Sequence, residues 1–388
     1  VLYFAPLALT AFLSAAAQAG TFDIGDEPSR RLSLSGLLDV RYAHTSQTLG
    51  WLSGGVNRLR YGGKDTDNNA SGDRDAHVFA VPQMSLVLDA PVPLDASVHA
   101  QLNLDADSDS GGGSAGLVEA YAAFDGSEGE RSWRARLGAL IPPISWEHPG
   151  KAWSTRHTLT PSAIGSWIGE EVRGFGAEGS YGLKYGPHSA RVTGGLFSGG
   201  DQTGWILFER GWGLHDYQST LNETVPLPNN KTERPFLELD GRPGHYERLN
   251  LSFSDDLLKV GGGHWDNEGD PGAYRLDGTS TLAVWSTEFW DAGAQLQWRR
   301  WLLLTQFVSG RSSMVKRPWT GWQAWYGLAA YRLGAWTLSG RYDDFDVHKG
   351  GENGYALTAC LQWDRNKAQR LSAEFLHAYA RPGFAVRD

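Results

Sequence analysis

The segment VHAQLNLD at residues 98–105 alternates apolar and polar side chains without a break. Successive side chains of an extended chain point to opposite sides, so Val98, Ala100, Leu102 and Leu104 share one face. A period of two is typical of a strand with one apolar face. The same alternation recurs in four further segments, at residues 117–125, 336–343, 357–364 and 370–377. Helical periodicity is nearly absent, and the sequence therefore predicts an all-β protein.

The connections between the predicted strands decide between a soluble and a membrane protein. Fifteen strands are predicted between residues 31 and 380, and short turns alternate with longer connections. The longer connections are residues 46–76, 107–114, 146–169, 200–244, 266–281, 311–321 and 347–354. Long loops at one end and short turns at the other are typical of an outer-membrane barrel, whose apolar face contacts lipid and whose polar face lines a wet lumen. We therefore expect a transmembrane antiparallel β-barrel surrounded by outer-membrane lipid.

The number of predicted strands is odd, whereas bacterial single-chain barrels have even numbers of strands. The last predicted strand ends at residue 380, and residues 381–388 have the composition of the start of an outer loop. We therefore expect a sixteen-stranded barrel with the last strand missing from this fragment. The alternative is a miscounted strand within residues 282–298, where the alternation slips near Trp290-Asp291.

The N-terminal residues have the pattern of an export signal. Residues 1–20 read VLYFAPLALTAFLSAAAQAG, an apolar run that turns to small residues and ends in Ala17-Gln18-Ala19. This A-x-A ending places a cleavage site before Gly20. The sequence predicts a partial signal peptide at residues 1–19, and residues 20–388 as a single barrel domain in the outer membrane of a bacterial cell.

The composition excludes several classes of protein. The formal net charge is −9 across 388 residues, which argues against nucleic acid as a partner. A single Cys excludes a disulfide scaffold. The 17 Trp suit a barrel, because Trp favours membrane–water interfaces. We expect two interface belts built from the Trp near strand ends: Trp133, Trp146, Trp265, Trp298, Trp301, Trp322, Trp325, Trp336 and Trp363.

Motifs for catalysis, cofactors and metals are absent from the sequence. It has no G-x-S-x-G, no H-E-x-x-H and no P-loop pattern. The segment His264-Trp265-Asp266-Asn267-Glu268 gathers possible metal ligands but has no second His at helical spacing, so it is interpreted as a polar outer loop. The sequence predicts no enzyme activity, no cofactor and no metal.

One stretch resembles a known family. Residues 137–177 read LGALIPPISWEHPGKAWSTRHTLTPSAIGSWIGEEVRGFGA, and Glu119-Ala120-Tyr121 lie on the strand before them. A strand, a Pro-containing turn, a Ser/Thr-rich loop and a Glu–Val–Arg-like element follow one another. This order is similar to that of the phosphate-selective-porin-like family of Gram-negative outer-membrane proteins. The resemblance implies a sixteen-stranded, trimeric barrel whose third outer loop, here residues 146–169, folds into the pore.

The charges that would set the selectivity of such a pore lie on this loop and on the lumen face of nearby strands. Arg134 and Arg136 share one face of a strand, and charge at a period of two must face the lumen because lipid-facing Arg costs ~2–4 kcal/mol at the bilayer midplane. The predicted pore-lining and constriction residues are Glu119, Arg134, Arg136, Glu147, His148, Lys151, Arg156, His157, Arg173 and Arg341.

Two functions are compatible with these features. The first is a porin that lets small hydrophilic solutes or ions diffuse through a water-filled lumen, with the anion preference that the family resemblance implies. The second is a secreted, soluble all-β protein that binds or acts on carbohydrate through its aromatic residues. Aromatic bands at strand ends would favour the barrel, whereas a single concave aromatic patch would favour the carbohydrate protein.

Overall fold

The computed structural model describes residues 8–24, 32–46, 50, 59–62, 75–93, 96–104, 115–227, 231–277, 280–315, 318–348 and 352–381. Sixteen strands of these residues form one antiparallel barrel. They are β1 (Ala8–Ile24), β2 (Leu32–Ser46), β3 (Ala76–Val92), β4 (Ala96–Leu104), β5 (Ala115–Glu128), β6 (Arg131–Leu140), β7 (Gly174–Tyr185), β8 (His188–Ser198), β11 (Gly244–Phe253), β12 (Leu258–Asp266), β15 (Ser286–Trp298), β16 (Trp301–Ser313), β17 (Thr320–Leu333), β18 (Trp336–Val347), β19 (Asn353–Asn366) and β20 (Gln369–Arg381). The predicted transmembrane β-barrel is confirmed.

Smaller elements lie in the long connections. The connection from β6 to β7 carries a 3₁₀ turn (Lys151–Trp153) and helix α1 (Ala163–Glu171). The connection from β8 to β11 carries helix α2 (Trp205–Arg210) and a hairpin of β9 (Val225–Leu227) and β10 (Lys231–Glu233). A second hairpin, β13 (Tyr274–Asp277) with β14 (Ser280–Ala283), precedes β15. No helix in the described ranges is long and apolar enough to cross a membrane.

Alternating short and long connections put all the long ones at one end of the barrel, as the sequence predicts. Two-residue turns join β5 to β6, β7 to β8, β15 to β16 and β17 to β18. Gly129, Gly186 and Gly334 supply positive φ angles of 58°, 55° and 63° in three of these turns, a conformation that favours glycine. The long connections include the two inserted loops described below, residues 141–173 and 199–243.

The strand count of sixteen is met by a strand at the N-terminal end, which corrects the expectation that the last strand is missing. β1 pairs with β2 on one side and with β20 on the other, from Ala8 opposite Ala378 to Ala17 opposite Gln369. Its sequence ALTAFLSAAAQAGTFDI alternates poorly and is rich in small residues, so it resembles the apolar core of an export signal.

The partial signal peptide at residues 1–19 stays a prediction. Cleavage before Gly20 would remove most of β1 and leave β2 and β20 with unpaired edges. N-terminal sequencing of the exported protein separates the two interpretations: a mature chain that begins at Gly20 lacks most of β1.

The two faces of the barrel differ as a transmembrane barrel requires. Large apolar side chains point outward, among them Phe79, Leu137 and Leu196, which are 76 %, 61 % and 61 % exposed. Six of the nine Trp predicted for interface belts also lie on the outer face: Trp133, Trp298, Trp301, Trp325, Trp336 and Trp363. The belt prediction is wrong for the other three. Trp265 and Trp322 point into the barrel and are almost fully buried, and Trp146 lies on the loop after β6 and packs against the buried core.

Candidate functional site: the lumen and its inserted loops

The connection from β6 to β7, residues 141–173, crosses the lumen and is held by strands on the far side of the barrel. On β16, Gln306 donates from Nε2 to the carbonyl of Ile144 at 3.0 Å. On β20, the Glu374 carboxylate accepts from the backbone N–H groups of Leu159 at 2.6 Å and Thr160 at 3.0 Å. A chain segment that leaves β6 and is tied to β16 and β20 occupies the lumen, where it narrows the space left for water.

Arg341, on β18, is the centre of this attachment. Its guanidinium donates to the carbonyls of Thr160 at 2.7 Å and Pro161 at 2.8 Å. It also forms ion pairs with Asp343 at 2.7 Å and with Glu147 at 3.4 Å. Because these groups are buried and paired, Glu147 and Arg341 act as a clamp on the loop rather than as exposed charges.

Hydrogen bonds from the start of α1 stabilise the buried carboxylate of Glu147. Glu147 accepts from the backbone N–H of Ser162 at 2.8 Å and from its hydroxyl at 2.5 Å. The Ser162 hydroxyl oxygen accepts in turn from the N–H of Gly165, as an N-cap does. Burial raises the pKa of Glu147, and the charge of Arg341 and the Ser162 hydrogen bonds act against that rise.

A second loop, residues 199–243, folds in beside the first. The N–H of Ile206 on α2 donates to Glu171 at 2.7 Å, and Arg210 donates to the Glu170 carboxylate. His215 Nε2 lies 3.2 Å from the same Glu170 carboxylate. Although burial opposes ionisation of Glu170, Arg210 and His215 lower its pKa to about 2. The neighbouring Glu171 has its pKa raised to about 7, chiefly by burial.

An aromatic cluster seals one side of the lumen. Trp167 of α1 meets the rings of Phe289 and Trp322 edge-on, with centroids 5.1 and 4.8 Å away. Trp212 of the second loop contacts Trp167 and Trp322 in the same way, at 6.0 and 5.8 Å. We call these four residues the aromatic plug. T-shaped pairs of this kind add ~0.5–1.5 kcal/mol each beyond their buried area.

On the other side of the lumen a cavity of about 640 Å³ remains open. It extends from the short turns at Gly334 and Lys367 to His148, Gly165 and His215 beneath the inserted loops. Its charged lining consists of the cations Arg41, Arg156, Arg332, Lys367 and Arg370 and the carboxylates Asp39, Asp216 and Asp364. Cations therefore outnumber carboxylates in this wet space.

Most of the cavity carboxylates are neutralised by specific partners. Arg41 on β2 lies 2.6 Å from Asp39 and 2.7 Å from Asp216 of the second loop. Burial opposes ionisation of Asp216, but Arg41 and Arg60 outweigh it and lower its pKa. Arg370 lies 2.6 Å from Asp364. Arg156, which is exposed in the cavity, has no ion pair within the described part of the chain.

Amide side chains hold the 3₁₀ turn above this cavity. Gln83 and Gln101 of the wall and Gln218 of the second loop all donate to the carbonyl of Ala152, at 2.9, 3.4 and 3.1 Å. Ala152 has a positive φ of 53°, a strained conformation for a residue with a side chain. Three donors on one carbonyl fix the turn in this conformation.

The structure separates the ten predicted pore residues into four groups. His148 and Arg156 line the cavity, while Glu147 and Arg341 form the clamp. Glu119, Arg134 and Arg136 face the lumen from the wall, where each is bound to a neighbouring group. Arg136 pairs with Glu178 at 2.7 Å, Arg134 lies 3.6 Å from Asp125, and Glu119 accepts from the N–H of Ile141 at 2.8 Å.

The remaining three predicted residues lie within the inserted loops. Lys151 begins the 3₁₀ turn, and the carbonyl of His157 accepts from Ser339 at 2.6 Å. Arg173 is 1 % exposed, donates to the carbonyls of Ser219 and Gly169, and faces the ring of Phe236. It holds the second loop and does not reach the cavity. Burial lowers the pKa of His148 to about 3 and that of His157 to about 4, so neither adds positive charge at neutral pH.

Asp39, Arg41 and Gln83 line the cavity but were not among the residues predicted from the sequence. A signal for the first two was present, because Leu37, Asp39 and Arg41 occupy alternate positions and therefore share a face. Asp216 had no such signal, since only the inward fold of the second loop brings it to Arg41, 175 residues away in sequence.

No protein-family profile matches this sequence, and no curated protein matches it either. Solved structures with a similar strand arrangement are outer-membrane proteins. The anion-selective porin from Comamonas acidovorans is 9 % identical, with 96 % of this chain and 98 % of that chain covered and a TM-score of 0.45. OpdL of Pseudomonas aeruginosa is 10 % identical over 97 % and 98 % of the two chains, with a TM-score of 0.36. The outer membrane channel DcaP of Acinetobacter baumannii is 11 % identical over 96 % of each chain, with a TM-score of 0.34.

Proposed function

We propose that the protein is an outer-membrane porin of narrow bore that passes small hydrophilic solutes with a modest preference for anions. The observation that carries the proposal is the 640 Å³ cavity inside the barrel, whose lining has five cations and three carboxylates. A lumen with excess positive charge raises the local concentration of anions. The net charge of −9 belongs to the whole chain and does not set the charge of this space.

The narrow bore follows from the two inserted loops. The aromatic plug and the clamp fill the side of the lumen next to β15–β18, and solutes are left the side next to β2, β3, β19 and β20. The exposed apolar outer face opposes the rival proposal of a soluble carbohydrate protein, since such a surface in water would aggregate. All four members of the aromatic plug are at most 3 % exposed, which leaves them no free face for stacking on a sugar.

The test is ion conductance of the full chain in planar lipid bilayers. We expect small, ohmic channels and, under a KCl gradient, a reversal potential whose sign shows that Cl⁻ permeates better than K⁺. Absence of channels would reject the porin function, and a cation-selective reversal potential would reject the anion preference while leaving the porin intact.

Localisation, assembly and family are part of the same proposal. We propose residence in the Gram-negative outer membrane, assembly as a homotrimer, and kinship with the phosphate-selective-porin-like family on the strength of residues 137–177. Cell fractionation tests the localisation, and chemical cross-linking in mild detergent tests the trimer. Conductance block by phosphate, compared with sulfate, tests whether phosphate itself is preferred.

A further inference from the structure

Two His and two Glu come together on the outer face of the barrel, at the long-loop end of β11 and β12. Tyr246 and Trp265, opposite each other in the pairing, point inward, so their neighbours His245, Glu247 and His264 point outward. The register places Glu247 directly opposite His264. The second His that segment 264–268 lacked is therefore His245, which comes from the neighbouring strand rather than from a helical turn.

The distances suit a single metal ion. Glu247 lies 3.3 Å from Nδ1 of His264 and 3.9 Å from Nε2 of His245, and one ligand atom of each residue falls within 4.8 Å of the others. Zinc bonds of about 2.0–2.2 Å in a tetrahedron separate ligand atoms by about 3.4 Å. Side-chain rotations that move these atoms by about an ångström would therefore close the three of them on one ion.

Glu268 lies beside the ring nitrogen of His245 that does not face Glu247. Nδ1 of His245 lies 3.6 Å from Glu268, on the opposite side of the ring from Glu247. A metal-binding His usually donates its second ring N–H to a carboxylate, which fixes the orientation of the ring. His245 is thus positioned to bind with Nε2 and to be held through Nδ1.

The cluster also differs from the rest of the outward face of β11. The outward residues of β11 after Glu247 are Leu249, Leu251 and Phe253, which suit lipid. Imidazole and carboxylate together are preferred by first-row transition metals, while a hard ion such as Ca²⁺ prefers oxygen ligands alone.

We propose that His245, Glu247 and His264 form a surface site for a divalent transition-metal ion, with Glu268 as the carboxylate that orients His245. Three protein ligands leave a fourth position of the ion open to water or to a group outside the barrel. The site is independent of the lumen and of the proposed porin function.

The experiment is calorimetric titration of Zn²⁺ into the full chain in detergent micelles at neutral pH. We expect one saturable site per chain, at least tenfold weaker binding in His264→Ala and in Glu247→Gln, and about 10- to 100-fold weaker binding in Glu268→Gln. His377→Ala is the matched control, since His377 also faces outward near the long-loop end of its strand but contacts the ring of Tyr355. This control should bind Zn²⁺ as the unchanged chain does.

Two further measurements keep the result specific. Cu²⁺ should bind more tightly than Zn²⁺, and its electron paramagnetic resonance should show two nitrogen ligands, reduced to one in His264→Ala. Ca²⁺ should not displace Zn²⁺ at equal concentration. Absence of saturable Zn²⁺ binding, equal binding by His264→Ala, or displacement by Ca²⁺ would each overturn the proposal. Retained barrel circular dichroism in every variant excludes misfolding as the cause of lost binding.

Discussion

The two sides of the lumen differ in their side chains: one is packed with aromatic rings, and the other is lined by charged and amide groups around a cavity. On the side of β15–β18, Trp167, Trp212, Phe289 and Trp322 pack against one another and are at most 3 % exposed. On the side of β2, β3 and β20, paired charges and amides surround an open cavity of about 640 Å³. Both sides hold the same inserted loops. The comparison indicates that the apolar side supplies most of the free energy that keeps the loops inside, while the polar side leaves an open cavity.

The largest effect is expected from Trp167→Ala on the apolar side. Trp167 is 3 % exposed and contacts the other three rings of the plug. Removing a buried Trp costs about 3–5 kcal/mol, so the free energy of unfolding in micelles should fall by that amount. Single-channel conductance should rise as the loops loosen. Trp133→Ala, on the outer face, is the control and should change stability far less. Equal losses in the two variants would contradict the assigned role of the plug.

A second prediction concerns pH and the contact between the two loops. Burial raises the pKa of Glu171 to about 7 from its ordinary 4.5, so its contribution to stability is complete below pH 4.5 and is lost as the pH rises through 7. Glu170, with its pKa lowered to about 2, stays ionised over this range. Glu233, whose pKa is raised by burial and by Glu171 and Glu170, acts in the same direction as Glu171.

The loops should therefore be held less tightly at pH 8 than at pH 5. Thermal unfolding followed by Trp fluorescence should show a lower midpoint at pH 8, and this pH dependence should shrink in Glu171→Gln. Glu288→Gln, which removes an exposed carboxylate paired with Arg311, should keep the full pH dependence. An unchanged midpoint, or a pH dependence as large in Glu171→Gln as in the unchanged chain, would contradict the raised pKa of Glu171.

The polar side should be more tolerant of single changes. Gln83→Ala removes one of three amides that donate to the carbonyl of Ala152. Since two donors remain, the loss should be about 0.5–1.5 kcal/mol, the value of one net hydrogen bond. Denaturant titration checks this, and the double variant Gln83→Ala/Gln101→Ala should lose more than the sum of the two single losses. A loss of unfolding free energy as large as that of Trp167→Ala would contradict the larger contribution assigned to the apolar side.

Local features of the strands could be predicted from the sequence, whereas contacts between distant segments could not. The period of two and the turn spacing were sufficient to predict the barrel, since both are local properties of strands. The alternating burial of β6 places Arg134 and Arg136 on one face for the same reason. The partners of buried charges were not predictable. Arg341 reaches Glu147 across 194 residues, and only the path of the loop decides that contact. β1 was missed because its small residues hide the alternation.

The His cluster on the outer face illustrates the same limit at shorter range. His264 and Glu247 are separated by sixteen residues and one hairpin, and their approach depends on the strand register. A shift of one residue would turn one of them inward. Trp265 and Trp322 were assigned to interface belts because their position along the strand was considered without the face to which they point.

The smallest effect is expected from Arg156→Gln, because this side chain contributes charge to the cavity without supporting the fold. It is exposed and lines the cavity. At about 7 Å in water, one charge shifts the energy of a passing anion by about 0.6 kcal/mol, close to thermal energy, so the Cl⁻ to K⁺ permeability ratio should fall about two- to three-fold.

Arg131→Gln is the control, since Arg131 is exposed at the start of β6 and outside the cavity lining. Reversal potentials in a KCl gradient measure both variants. An equal shift in the two would mean that selectivity reflects the charge of the whole short-turn end, whereas a shift in Arg156→Gln alone locates it in the cavity.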